Sequence, residues 1–179
     1  MSITTFGSGL DHPEGIAWDP AGAVVVGTES GSVLWLDPVT AEASAYTNAL
    51  ALSPDGTWQY VVEISLPGVS RIPVAADGSL GQREVVVEIP ETVPDGLAFT
   101  ADGRMLVSFY RPDAVRIWDG THLDVLIHDW TGLTLSAPTN VAFAGDDATT
   151  LLAANLGTWH LTRIEADLRG APLHYPRLS

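Results

Sequence analysis

Three oxygen-bearing side chains recur at one place in a repeated phrase of this chain. Thr92-Val93-Pro94-Asp95-Gly96-Leu97-Ala98-Phe99 reads as an acidic loop running into a short apolar strand, closed by the turn Thr100-Ala101-Asp102-Gly103. Pro13-Glu14-Gly15-Ile16-Ala17-Trp18, Thr47-Asn48-Ala49-Leu50-Ala51-Leu52 and Pro138-Thr139-Asn140-Val141-Ala142-Phe143 say nearly the same. Aligned on the apolar triplet, the loop column holds Glu14, Asn48, Asp95 and Thr139. A single loop Asp or Asn is ordinarily a turn former. Two carboxylates and an amide oxygen in register are a hard oxygen set, suited to calcium or magnesium and usable by manganese or zinc.

Such a column has meaning only if the fold makes its members converge. The column residues are spaced 34, 47 and 44 apart, close to the period of propeller blades. Each interval carries three further short runs rich in Val, Ile, Leu and aromatics, bounded by Gly, Pro, Asp and Asn, with no sustained helical period. The pattern predicts an all-β propeller of four-stranded antiparallel blades, four repeats in one domain over residues 1–179. Ile3-Thr4-Thr5-Phe6 is predicted to pair with the last blade, whose own fourth run around Leu173-His174-Tyr175 is weak, and so to close the ring. In a propeller the loops leading into the innermost strands meet at the axis, which is where the column would lie.

Other polar residues have plainer readings. Asp55, Asp102 and Asp146 fall in the turns after the first strand of a repeat, where Asp and Gly shape a tight backbone. Asn140 follows the column by one place and either lines the pocket or bonds its own backbone. Asn155 reads as a turn residue. His12 lies two residues before Glu14 and reads as a surface loop residue, the alternative being a proton shuttle at the pocket. His160, beside Trp159, reads as strand packing, and the six tryptophans as core between blades.

Composition removes whole classes of chemistry. The chain has no Cys, which excludes disulfides, thiolate zinc sites and a cysteine nucleophile. It has no Lys, which excludes a Schiff-base lysine. G-x-S-x-G, P-loop and G-x-G-x-x-G patterns are absent. A net charge of -14 disfavours nucleic acid and anionic lipid as partners. No apolar run has the length of a membrane span and no signal peptide is visible, so a cytoplasmic location is expected.

The ordered phrases PEGIAWDPAG, NALALSPDGTWQYVVE, GSLGQREVV, VPDGLAFTADGRMLVSF and APTNVAFAG resemble the senescence-marker-protein/gluconolactonase family, the regucalcin-like proteins. The resemblance implies a lactone hydrolase with one axial divalent metal, calcium before zinc, manganese or magnesium. It implies that the Glu of PEG, the Asn opening NALALSPDG and the Asp of PDG hold that metal; by motif these are Glu14, Asn48 and Asp95. It also gives Asp95 the role of general base. Family members are six-bladed, and this chain resembles one shortened by about two blades, because Tyr46-Thr47 runs straight into Asn48. The expected substrate is a small lactone, sugar or aliphatic. The alternative is a metal- or ligand-binding propeller without catalysis.

Overall fold

The computed structural model describes the backbone of residues 13–18, 24–28, 33–36, 43–64 and 66–172, and side chains from residue 49 onward within these stretches. Among the described residues every regular element is a β-strand. In chain order they are β1 (Pro13–Trp18), β2 (Val24–Thr28), β3 (Val33–Leu36), β4 (Ala43–Leu52), β5 (Trp58–Glu63), β6 (Gly68–Pro73) and β7 (Glu84–Glu88). These are followed by β8 (Val93–Phe99), β9 (Met105–Arg111), β10 (Ala114–Trp118), β11 (Leu123–His128), β12 (Pro138–Ala144), β13 (Thr150–Asn155) and β14 (Thr162–Ile164). All pairings are antiparallel between neighbours in sequence, giving sheets of seven (β1 to β7), four (β8 to β11) and three (β12 to β14) strands. This arrangement is propeller-like. The predicted strands at Ile3-Phe6 and around Leu173-Tyr175 lie outside the described residues.

The four-stranded sheet is the blade expected from the third repeat. The first two repeats differ from expectation, since their eight predicted runs appear as seven strands. The sequence reads Ala43–Tyr46 as the last strand of one repeat and Ala49–Leu52 as the first of the next. The structure runs one ten-residue strand, β4, through both. Thr47 accordingly pairs with Val33 of β3 on one side and Glu63 of β5 on the other. The cause is the missing connector. Four residues, 89–92, separate β7 from β8, and nine, 129–137, separate β11 from β12. With no residues between Tyr46-Thr47 and Asn48, the chain cannot step from an outer strand to a new inner one, so the second meander adds to the first.

Strand β9 explains why the sheets stack. Its sequence, Met-Leu-Val-Ser-Phe-Tyr-Arg, is buried at its first five positions. Strand side chains alternate between faces. Met105, Val107 and Phe109 face a core shared with Val62, Val69, Ile89, Leu97 and Phe99. Leu106 faces a second core with Val115, Leu135, Val141, Leu151, Ala153 and Ile164. One strand therefore serves two cores, one toward β5 and β6, the other toward β12 and β13. Phe109→Ala is expected to lower unfolding free energy by about 3–5 kcal/mol, read as a drop in the urea midpoint.

The turns closing the hairpins share one design. The amide of Gly56 donates to the Ser53 carbonyl, that of Gly78 to Ala75, that of Gly103 to Thr100, and that of Ala148 to Gly145. All four donors have positive φ: 72° at Gly56, 84° at Gly78, 87° at Gly103 and 55° at Ala148. Three use glycine, which tolerates this conformation; the fourth forces an alanine into it. Ala148→Gly is expected to raise stability by about 0.5–1 kcal/mol, seen as a small rise in melting temperature.

Candidate metal and catalytic site

Each innermost strand leaves its ladder at the column residue. Pro13 pairs with Thr28 and Gly15 with Gly27, so Glu14 is an extra residue. Thr47 pairs with Glu63 and Leu50 with Val61, so Asn48 and Ala49 oppose Val62 alone. Pro94 pairs with Phe109 and Leu97 with Val107, so Asp95 and Gly96 oppose Ser108 alone. Pro138 pairs with Asn155 and Asn140 with Ala154, which makes Thr139 the extra residue. A bulge re-aims the side chain it carries and is over-represented beside active sites. The four positions aligned from sequence are thus four bulges, three near the starts of β1, β8 and β12 and one in the middle of β4.

The bulge at Asp95 is the best defined. The Gly96 amide donates to Ser108 Oγ at 2.9 Å, and the fully buried Ser108 hydroxyl faces the Gly96 carbonyl at 3.4 Å. Ser108 thereby satisfies backbone groups that the bulge removes from the ladder. Sequence reasoning passed over it, although a lone serine inside Met105-Leu106-Val107-Ser108-Phe109 was the available signal. Behind Gly96 lies β12, so close that a Cβ at residue 96 would meet Asn140 Cα at 2.5 Å and the Thr139 carbonyl at 2.7 Å.

Burial raises the Asp95 carboxyl from 3.8 to about 6. Desolvation acts without compensation: among the described residues no hydrogen bond or ion pair reaches this carboxylate. A half-buried carboxylate lacking protein partners is a group that a cation would satisfy. Among the described residues no cluster of three or more His, Asp or Glu side chains forms a ready cation cage.

The column is only partly gathered. β4 and β8 pack against each other, which brings the bulges of Asn48 and Asp95 onto neighbouring inner strands, with β12 on the far side of β8. Glu14 sits elsewhere in the described sheet. Gly15, Gly27, Val33 and Thr47 form one cross-strand row, so Glu14 and Asn48 are three strands apart, roughly 14 Å at ~4.8 Å per strand. The side chains of Glu14 and Asn48, and all of His12, lie outside the described residues.

The remaining polar candidates are now placed. Asn140 lines a cavity of about 1000 Å³ running between β4, β8 and β12, along with Leu97, Phe99, Val141 and Phe143. Its Oδ1 accepts from the Val141 amide at 2.9 Å, the backbone bond of the second reading; the cavity does not include Asp95. Asp55 is a turn former: it accepts from Ser53 and from the Thr57 amide and hydroxyl, which hold it at about 2. Asp102 is another, held at about 2 by Arg104 and Thr100. In the fourth repeat this role falls to Asp147, which accepts from the Thr149 amide at 3.2 Å. Asp146 instead lines the cavity, because the turn is Gly145-Asp146-Asp147-Ala148, one residue later than the sequence alignment placed it.

Three expectations are overturned. His160 is not in a strand; β14 starts at Thr162, and His160 is an exposed loop residue bonded to the Thr134 carbonyl. Trp130 and Trp159 are not core; they are 84% and 105% exposed. The loops that carry them are held by hydrogen bonds of their own backbone and of Asp129 and Asn155. Asn155 ends β13 and ties loops together in place of forming a turn.

A family model described as the SMP-30/Gluconolactonase/LRE-like region matches residues 19–155. No curated protein matches in sequence. Among solved structures, a provisionally assigned gluconolactonase aligns at 19% identity and a TM-score of 0.63, over 94% of this chain and 64% of its own. A calcium-binding protein, regucalcin, from Agrobacterium tumefaciens aligns at 22% identity and 0.55, over 79% of this chain and 52% of its own. A gluconolactonase from Xanthomonas campestris aligns at 19% identity and 0.56, over 90% of this chain and 61% of its own. This chain therefore spans between half and two thirds of the length of each. At such identities the likeness is one of fold.

Proposed function

Because this chain belongs to the SMP-30/gluconolactonase/LRE-like family, we propose that it is a metal-dependent lactonase whose site lies at the start of the inner strands. The observation that carries the reading is the bulge found at every column position, with a desolvated, unpaired carboxylate in the best defined of them. Asn48 and Asp95 would hold the cation from neighbouring strands. Glu14, on β1 of the same seven-stranded sheet as Asn48, would join them through a twist-driven curling of that sheet within a single domain. Calcium suits this oxygen set best, with magnesium, manganese and zinc as alternatives.

Held by Asn48 and Asp95, a divalent cation would supply Lewis-acid polarisation of the lactone carbonyl and charge stabilisation of the developing oxyanion. The chain's own part is proton transfer and positioning. Asp95 removes a proton from water as the oxygen attacks the carbonyl carbon. The ring C–O bond then breaks, and Asp95 returns the proton to the departing ring oxygen, leaving a hydroxy acid. Ser108 fixes the bulge so that the Asp95 backbone does not slip back into register.

The test is hydrolysis at constant pH over a panel of sugar and aliphatic lactones, with added calcium, manganese or zinc and with a chelator. Turnover that the chelator removes is expected. Folded protein that turns over no lactone with any metal refutes catalysis and leaves a cation-binding module, the second reading, which the unpaired Asp95 carboxylate favours independently.

A further inference from the structure

The bulge of β12 lies against the bulge of β8. A Cβ at Gly96 would meet Asn140 Cα at 2.5 Å, its Oδ1 at 2.6 Å and the Thr139 carbonyl at 2.7 Å. Bond lengths alone then place Asn140 Oδ1 within about 8 Å of the Asp95 Cα. The residues one place after the column are Gly15, Ala49, Gly96 and Asn140, and of these four Asn140 alone has a polar side chain.

The Asn140 amide has a fixed direction. The Val141 amide donates to Oδ1 at 2.9 Å. That bond identifies the oxygen end of the group and leaves Nδ2 with two hydrogens to donate. No acceptor among the described residues takes them, and the residue is exposed. Two other polar groups beside the Asp95 bulge are already engaged. Ser108 Oγ is fully buried and accepts from the Gly96 amide at 2.9 Å, and the Thr139 carbonyl is pressed against Gly96.

The chemistry at Asp95 has a place for this donor. In the lactone reading the cation takes the carbonyl oxygen, and Asp95 takes a proton from the attacking water. Neither serves the ring oxygen, which gains charge as its bond to the carbonyl carbon lengthens, before Asp95 returns the proton. Asn48 is on β4 and Asn140 on β12, on opposite sides of β8, so cation and donor approach a bound ring from different sides. We propose that Asn140 Nδ2 donates a hydrogen bond to the ring oxygen of the lactone and stabilises the alkoxide that develops there. A donor that meets mainly developing charge acts on kcat rather than on KM. The inference rests on the lactone reading above, and its test separates the two.

Asn140→Ala and Asn140→Asp are assayed with calcium on δ-valerolactone, which expels an alkoxide, and on dihydrocoumarin, which expels a phenoxide and needs far less help. An ionised Asp keeps an acceptor for the Val141 amide and has no donor, so it preserves the fold even where Ala does not. Both variants are expected to lose about 10²- to 10³-fold in kcat on δ-valerolactone, with KM within about threefold of the parent. On dihydrocoumarin the loss is expected to be about tenfold or less. Equal losses on the two lactones overturn the proposal. So does Asn140→Asp with the kcat of the parent, which leaves the amide a backbone tie alone. If the parent turns over neither lactone, hydrolysis is refuted and binding decides. Calorimetry then compares δ-valerolactone with 2-piperidone, whose ring N–H opposes the Nδ2 donor. Asn140→Ala is expected to raise the affinity for the lactam relative to the lactone about tenfold. An unchanged ratio, or a parent that binds neither ring, overturns the proposal.

Discussion

Asp95→Asn is expected to abolish lactone turnover, with kcat falling about 10³-fold or more, since one substitution removes both the proposed general base and a proposed cation donor. The same variant is expected to be more stable than the parent when no metal is present. Burial holds the Asp95 carboxyl at about 6 in the folded chain against 3.8 in the unfolded one. The folded state therefore binds this proton more tightly. Its contribution to stability is fully present below pH 3.8 and is lost as pH rises through about 6. Above that the parent carries a desolvated charge that the amide does not. After discounting for partial exposure, Asp95→Asn should gain roughly 1–3 kcal/mol at pH 8 and nothing at pH 3.5.

A divalent cation held by Asp95, as proposed, is expected to reverse the order, stabilising the parent by mass action, about 2.7 kcal/mol at 100 times its Kd, and leaving the variant unmoved. Melting curves at pH 3.5, 6 and 8, with calcium and with chelator, read all of this in one experiment. A parent whose melting temperature ignores every divalent cation at pH 8 sinks the assignment of Asp95 as a ligand. Turnover surviving in Asp95→Asn sinks its assignment as a base.

The column of Glu14, Asn48, Asp95 and Thr139 was legible in the sequence because each precedes an apolar triplet and each triplet precedes a turn. The turns were legible because Asp and Gly have one backbone use there; only the fourth slipped by a residue, since Ala148 occupies the place that Gly56 and Gly103 take. The bulges were not legible. Nothing in Pro-Asp-Gly-Leu states that two residues will oppose one; that depends on the partner strand and on Ser108. The fusion of two repeats through β4 was foreshadowed by the absent connector, but which sheet the chain would form depends on pairing across strands. Trp130 and Trp159 were misread because a tryptophan's bulk ordinarily secures burial, whereas here backbone bonds within the loops fix the chain before its side chains can turn inward.

Gly96→Ala is the second large effect, and it shows how fold and site depend on one contact. A methyl at residue 96 would lie 2.5 Å from Asn140 Cα, 2.6 Å from its Oδ1 and 2.7 Å from the Thr139 carbonyl. The Oδ1 can swing aside, but the two backbone atoms cannot. Either β8 and β12 separate, opening the core around Leu106, Val141 and Leu151, or the bulge flattens and Ser108 loses its partner. Each route costs about 2–3 kcal/mol. Each also moves Asp95, so cation-induced stabilisation should vanish together with the lost stability.

Gly103→Ala isolates the alternative cause. Gly103 has a φ of 87° and open space around its missing Cβ. Its substitution costs about 1–2 kcal/mol of backbone strain and leaves the response to cation intact. Denaturant midpoints and calcium-dependent melting shifts for the two variants separate close packing from conformation. If Gly96→Ala matches the parent in both measurements, β8 and β12 do not meet at residue 96, and the inner-strand bulges have no common wall to be pressed against.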